Sequence, residues 1–219
     1  MITTSRPAAD EYAPSFAGYV ALISEDEDIL AALSAQLDEA LTWLRTADAR
    51  GDYRYAPGKW SIKEVVGHLS DTERVFACRA LRIGRGDTTP LPAMDDQAYV
   101  PEQRAADQPL GHLVEEWAAV RRGTVALFRN LPPAAWHRKG IAGDQPVSVR
   151  ALAYVIAGHG RHHEGSGRRD ARDDRGRARG GGAGGAHGQQ GPGHASREQQ
   201  IATIEGEVLH DVARSPRGV

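Results

Sequence analysis

SVRALAYVIAGHGRHHE, residues 148 to 164, is the stretch whose reading decides the fold. Leu152, Ile156, His159 and His163 follow a 3–4 spacing, so on a helix all four point the same way, toward whatever that helix packs against. An apolar stripe that ends in two imidazoles calls for a reason. Burying a polar ring without a partner costs on the order of 1–3 kcal/mol. A metal ion bound by i, i+4 histidines is one of the few partners that satisfies two rings together. Chance placement near a frayed helix end is the alternative.

Working outward, three more segments carry helical periodicity. Leu30, Leu33, Leu37, Leu41 and Leu44 form an amphipathic stripe over roughly 28–48, with Gly51 as a stop. Ser61 and Glu64 make a capping box ahead of Ile62, Val65, Val66, Leu69, Phe76, Ala80 and Ile83, so a second helix runs from about 61 to Gly84. His68 falls about a quarter turn from the centre of that apolar face, where a side chain reaches sideways into a bundle interior. The third stripe, Leu110 to Leu131, is ended by Pro132 and Pro133, and Val147-Ser148 supplies a staple and a cap for the fourth helix.

Four amphipathic helices without credible strands imply an all-α four-helix bundle over 28–164. Residues 1–27 read as an extended lead-in. The proline-rich stretch 86–109 reads as a long loop without a helix, of the kind that commonly shapes a site, with Asp87, Asp95, Asp96 and Tyr99 near its mouth. His112, His137 and Cys78 read as solvated and incidental.

Composition narrows the function. Net charge is −2 and the isoelectric point near neutral, so nothing global points to nucleic acid. No apolar run approaches the length of a membrane span. A single cysteine, Cys78, excludes an internal disulfide, and with no secretory pattern at the N-terminus the expected compartment is cytoplasmic.

After Glu164 the character of the chain changes. From Gly165 to Gln200 there is no Val, Ile, Leu, Met, Phe, Trp or Tyr, while Gly and Arg dominate. Such a composition cannot bury enough apolar surface to offset its backbone entropy, so residues 165–219 are expected to be a disordered tail. An Arg/Gly nucleic-acid arm is a weak reading, since no aromatic is present there to stack on a base. A stripe that stops at the two histidines most in need of a continuing helix fits better with a reading frame shifted just after His163.

YAPGKWSIKEVVGHLSDTERVFACRALRIGRGDTTPLP, residues 55–92, followed by a third helix and then PVSVRALAYVIAGHGRHH, resembles the DinB/YfiT-like metalloenzyme superfamily. The resemblance covers roughly residues 19–164. It implies a four-helix bundle of up-down-down-up type, with one metal-ligand histidine on the second helix and two spaced HxxxH on the fourth. Those positions are His68, His159 and His163, the residues that the stripes single out. His162, about 100° around the helix from His163, stays outside the ligand set.

Three neutral imidazoles would leave coordination positions open, the pattern of a catalytic divalent site (Zn, Ni, Fe or Mn). The resemblance implies a small-molecule substrate and one of two chemistries. One is a transferase that uses a low-molecular-weight thiol as cosubstrate; the other is a metal-dependent hydrolase. It also brings a homodimer into view. A non-catalytic bundle with a broken site is the opposing reading. No Ser-His-Asp arrangement, phosphate-binding glycine loop or HExxH offers a rival motif, and no catalytic side chain is assigned.

Overall fold

The computed structural model describes residues 5–46, 50–54 and 56–163, which lie within one compact unit. The expectations for the tail 165–219, for the shifted frame and for the end of the first long helix lie outside the described residues. Four long helices make the bundle: α2 (Ile29–Thr46), α3 (Ile62–Gly84), α5 (Leu110–Arg129) and α6 (149–163). Two short ones join them, α1 (Ala17–Ala21) and α4 (Asp96–Glu102). Among the described residues no helix is long and apolar enough to cross a membrane.

Three of the four long helices start where a side chain takes up orphan amides, whereas α5 starts after Pro109 without a side-chain cap. Asp28 Oδ1 accepts from the Leu30 and Ala31 amides, both at 2.9 Å, and opens α2. The Ser61/Glu64 capping box is present on α3, with Ser61 Oγ accepting from the Glu64 amide at 3.2 Å and Glu64 accepting from the Ser61 amide at 2.6 Å. Ser148 Oγ accepts from the Ala151 amide at 3.0 Å and opens α6. The predicted starts therefore hold.

Three expectations do not hold. Residues before 28 are not an extended lead-in: they form 3₁₀ turns at Ala9–Glu11 and Pro14–Phe16 and then α1, and Val20 and Ile23 sit in the core. The stretch 86–109 contains α4, because Pro90 and Pro92 on one side and Pro109 on the other leave room between them. Asp95 caps that helix through the Ala98 amide at 3.1 Å, and Pro101 falls in its last turn. A hairpin is also present, β1 (Lys139–Ala142) against β2 (Gln145–Ser148), antiparallel, with Gly140 opposite Val147. Its two-residue turn, Gly143-Asp144, has positive φ at both positions (58° and 61°), the backbone that a tight hairpin needs. Gly-Asp was the signal for it, and the helical reading passed over a run this short.

The fourth helix is the largest surprise in burial. Every residue from 151 to 160 is buried, so over this length α6 has no exposed face and runs through the middle of the described unit. Arg150 and Arg161 bracket it and reach to the N-terminal segment, Arg150 to Glu11 and Arg161 to Glu27. Apolar side chains gather in two clusters. One holds Phe76, Phe128, Trp136, Leu152 and Ile156; the other holds Leu37, Val66, Leu69 and Trp117. His68 stands on α3 between Val66 and Leu69 of the second cluster, and His159 follows Ile156 and Ala157 of the first.

Candidate metal centre

His68 lies in the second turn of α3, and His159 and His163 lie in the last two turns of α6. The fold brings the three rings together. His68 Nε2 is 3.0 Å from His159 Nε2, and His163 Nε2 is 3.1 Å from the same atom. One ligand atom from each residue lies within 4.8 Å of the others. Three nitrogens bound tetrahedrally at about 2.0–2.1 Å would stand about 3.3 Å apart, so the two separations from His159 are close to what a small divalent ion requires.

Burial sets the charge. His68 and His159 are 4% and 7% exposed, and His163 is half-buried. Desolvation pushes His68 down to about 4, against a weaker opposing pull from the Asp71 carboxylate. Desolvation, reinforced by the neighbouring imidazoles, holds His159 and His163 well below the ordinary value. All three are neutral at pH 7, with lone pairs available. A neutral imidazole carries one N–H. Without a cation, His159 Nε2 has either one hydrogen or one lone pair to offer, so it cannot make a full hydrogen bond to both neighbouring rings. The donor set therefore fits a divalent metal, and among the described residues no carboxylate joins it.

Around the rings stand three supports. Thr72 Oγ1, one turn on from His68, lies 3.4 Å from His68 Nδ1, long for a hydrogen bond but placed to keep the proton on that nitrogen. The half-buried Trp60 packs on His68 with centroids 4.8 Å apart. Tyr19 of α1 meets His159 edge-on at 5.4 Å. Trp60 stands just ahead of the α3 cap with no spacing to mark it, Thr72 could have been found from its i+4 spacing, and nothing in the sequence pointed to Tyr19.

Other candidates go elsewhere. His162 is buried, outside the three-ring group, against Tyr19 and His163. His112, His137 and Cys78 are exposed. Asp87 pairs with Arg82 at 2.6 Å, and Asp95 caps α4. Tyr99 is 45% exposed and borders a groove of about 680 Å³ between α3, α4 and α5 that none of the three histidines lines. The 86–109 stretch thus shapes a groove next to Gly67 rather than the mouth of the histidine cluster.

Residues 32–165 match the DinB superfamily, more than half of the chain. This chain belongs to the DinB superfamily. Among solved structures this DinB superfamily protein is similar to YfiT from Bacillus subtilis, described as a probable metal-dependent hydrolase with an unusual four-helix bundle topology. The likeness has a TM-score of 0.57 and 17% identity and covers 79% of this chain and 95% of that one, a likeness of fold. No curated protein matches the chain.

Proposed function

We propose that this DinB superfamily protein is a metal-dependent enzyme in which His68, His159 and His163 hold one divalent ion (Zn, Ni, Fe or Mn), and that it is a thiol S-transferase. The observation that carries the reading is the convergence of three neutral imidazoles with no fourth ligand among the described residues, which leaves positions open for reactants. A divalent ion held there supplies Lewis acidity, lowering the pKa of a thiol or of water toward neutrality. Thr72 keeps the His68 proton on Nδ1 and so aims the Nε2 lone pair inward. Trp60 covers one side of His68 and keeps water from that face.

Transfer of a low-molecular-weight thiol to a small electrophile suits these surroundings. The thiol gives up its proton to solvent water, a sulfur–carbon bond forms as the carbon–leaving-group bond breaks, and the leaving group departs with its electron pair. No side chain has to protonate a poor leaving group, as amide hydrolysis would require. Hydrolysis is the second reading, favoured by the description of YfiT.

The test is metal content of the full 219-residue chain, purified without a histidine tag, beside a His68→Ala/His159→Ala double variant. About one equivalent in the parent and none in the variant is expected. Electrophile consumption that depends on both the metal and a small thiol then supports transfer, whereas metal-dependent turnover without thiol selects hydrolysis. A parent without metal returns the chain to a non-catalytic bundle.

A further inference from the structure

The family match begins at residue 32, yet residues before it touch the histidine-bearing end of α6. At Gly158 the backbone of α1 comes so close that a Cβ would overlap the Tyr19 carbonyl group and lie 2.9 Å from its Cα. That approach seats the Tyr19 ring over the next turn. It meets His159 at 5.4 Å with an 81° interplanar angle, and His162 at 5.5 Å with 71°. His162 in turn meets His163 edge-on at 5.1 Å and 83°. The segment is tied down beyond the ring as well: Arg161 donates to the Leu22 carbonyl at 2.9 Å and to Glu27 Oε2 at 2.8 Å, and Arg6 donates to the Val20 and Ile23 carbonyls.

We propose that Tyr19, with His162 behind it, is a positioning residue for two of the three ligand histidines, so that the N-terminal segment is a structural part of the metal centre. The proposal rests on the reading of His68, His159 and His163 as ligands. His68 has its own supports in Trp60 and Thr72, in the second turn of a well-capped helix. His159 and His163 lie in a stretch that Gly158 and Gly160 make intrinsically less stiff. Their side chains can aim two lone pairs at one point only if something outside the helix fixes both ring planes. Tyr19 does this for His159 directly and for His163 through His162. Gly158, unfavourable for helix formation on its own, is what admits the brace.

The experiment is titration of the full-length protein with Co²⁺, read by its ligand-field spectrum, together with Zn²⁺ competition and apo thermal unfolding, on parent, Tyr19→Phe and Tyr19→Leu. Tyr19→Phe keeps the ring and is expected to match the parent within about twofold. Tyr19→Leu keeps apolar volume without the ring, and is expected to bind about 10- to 100-fold more weakly, the usual cost of losing a partner behind a ligand, with a displaced Co²⁺ band. A Tyr19→Leu protein that melts earlier but binds Co²⁺ with the parent's affinity and spectrum overturns the proposal and leaves Tyr19 as packing. Equal losses in Phe and Leu overturn it too, because the ring would not be the brace. If Tyr19→Leu does not fold, His162→Leu tests the same brace from its other side: a loss of about tenfold supports it, and parental affinity overturns it. A parent that binds no Co²⁺ overturns the ligand reading and this proposal with it, whereas binding unchanged by Tyr19→Leu overturns the proposal alone.

Discussion

Two polar clusters lie buried among the same four helices, and they are opposite in kind. In one, Arg121 of α5 donates from Nε to both carboxylate oxygens of Glu73 on α3, at 2.8 and 2.9 Å, and from Nη1 to Gln36 Oε1 and the Leu33 carbonyl on α2. Trp117 adds a bond to Glu73 at 3.3 Å, and Gln36 passes the network on to the Ala157 carbonyl of α6 at 2.9 Å. Charge is matched and partners are all internal, with the two charged side chains only 1% and 3% exposed. In the other cluster, three neutral rings face one another, with only the weak pull of the Asp71 carboxylate on His68. A buried polar group whose partners are all protein is architecture, whereas one that turns its lone pairs toward an empty point is a site for something else. The first cluster ties α2, α3, α5 and α6 together, and the second uses the geometry thereby fixed.

The sharpest way to break this contrast is Glu73→Ala. It strands the Arg121 guanidinium in the core and is expected to cost about 3–5 kcal/mol of apo stability, measured as a lowered denaturant midpoint. A loss well under about 1 kcal/mol would show that the network is not what ties the helices.

The histidine cluster makes the opposite prediction, in acid and without metal. Imidazoles of the unfolded chain take protons near 6.5, whereas His68 in the fold resists until about 4. Stability is therefore full above 6.5 and is lost as pH falls through that window, by roughly 3 kcal/mol for His68 alone at about 1.4 kcal/mol per unit. Metal competes with those protons, so a saturating divalent ion should move the loss to lower pH in a melting series. A pH profile that is the same with and without metal would remove the distinction between the two clusters.

How much of this could be read in the sequence differs between the same two regions. The histidines could be read because rings that converge from one helix need a regular spacing: His159 and His163 stand one turn apart, and His68 lies beside an apolar face. The ion pair left an equally regular signal that the apolar count overlooked. Glu73 stands three turns on from Ile62 and Arg121 three turns on from Leu110, each on its stripe. Opposite charges on two apolar faces are readable as one buried pair. What could not be read is contact between distant segments. Tyr19 meets His159 across a separation with no periodicity, and the burial of α6 on every side depends on the N-terminal segment folding over it, which no local pattern encodes. The hairpin and α4 were missed for a smaller reason, that short elements give periodicity too few residues to register.

Gly158→Ala sharpens the contrast at the place where that distant segment arrives. In an open helix this change would gain about 1 kcal/mol. Here the new methyl group meets the Tyr19 backbone, so a loss of about 1–3 kcal/mol in thermal or chemical unfolding is expected instead. The reversal of sign is the informative part, because a gain would place α1 off the helix in solution.

The smallest effect is the most pointed. Thr72 is a polar side chain placed to fix a tautomer, and its hydroxyl lies 3.4 Å from His68 Nδ1. Thr72→Val keeps the shape and the branching but removes a long hydrogen bond in a buried place, so apo stability should fall by only about 1 kcal/mol. Without the hydroxyl, His68 is free to carry its proton on Nε2, which must then be displaced before a metal binds. The expected loss of affinity is up to about tenfold, read by the same Co²⁺ titration. An unchanged affinity would mean that packing against Trp60 alone aims the lone pair. The histidine cluster would then differ from the Glu73 network still more sharply, as a site whose only polar partner is the ion itself.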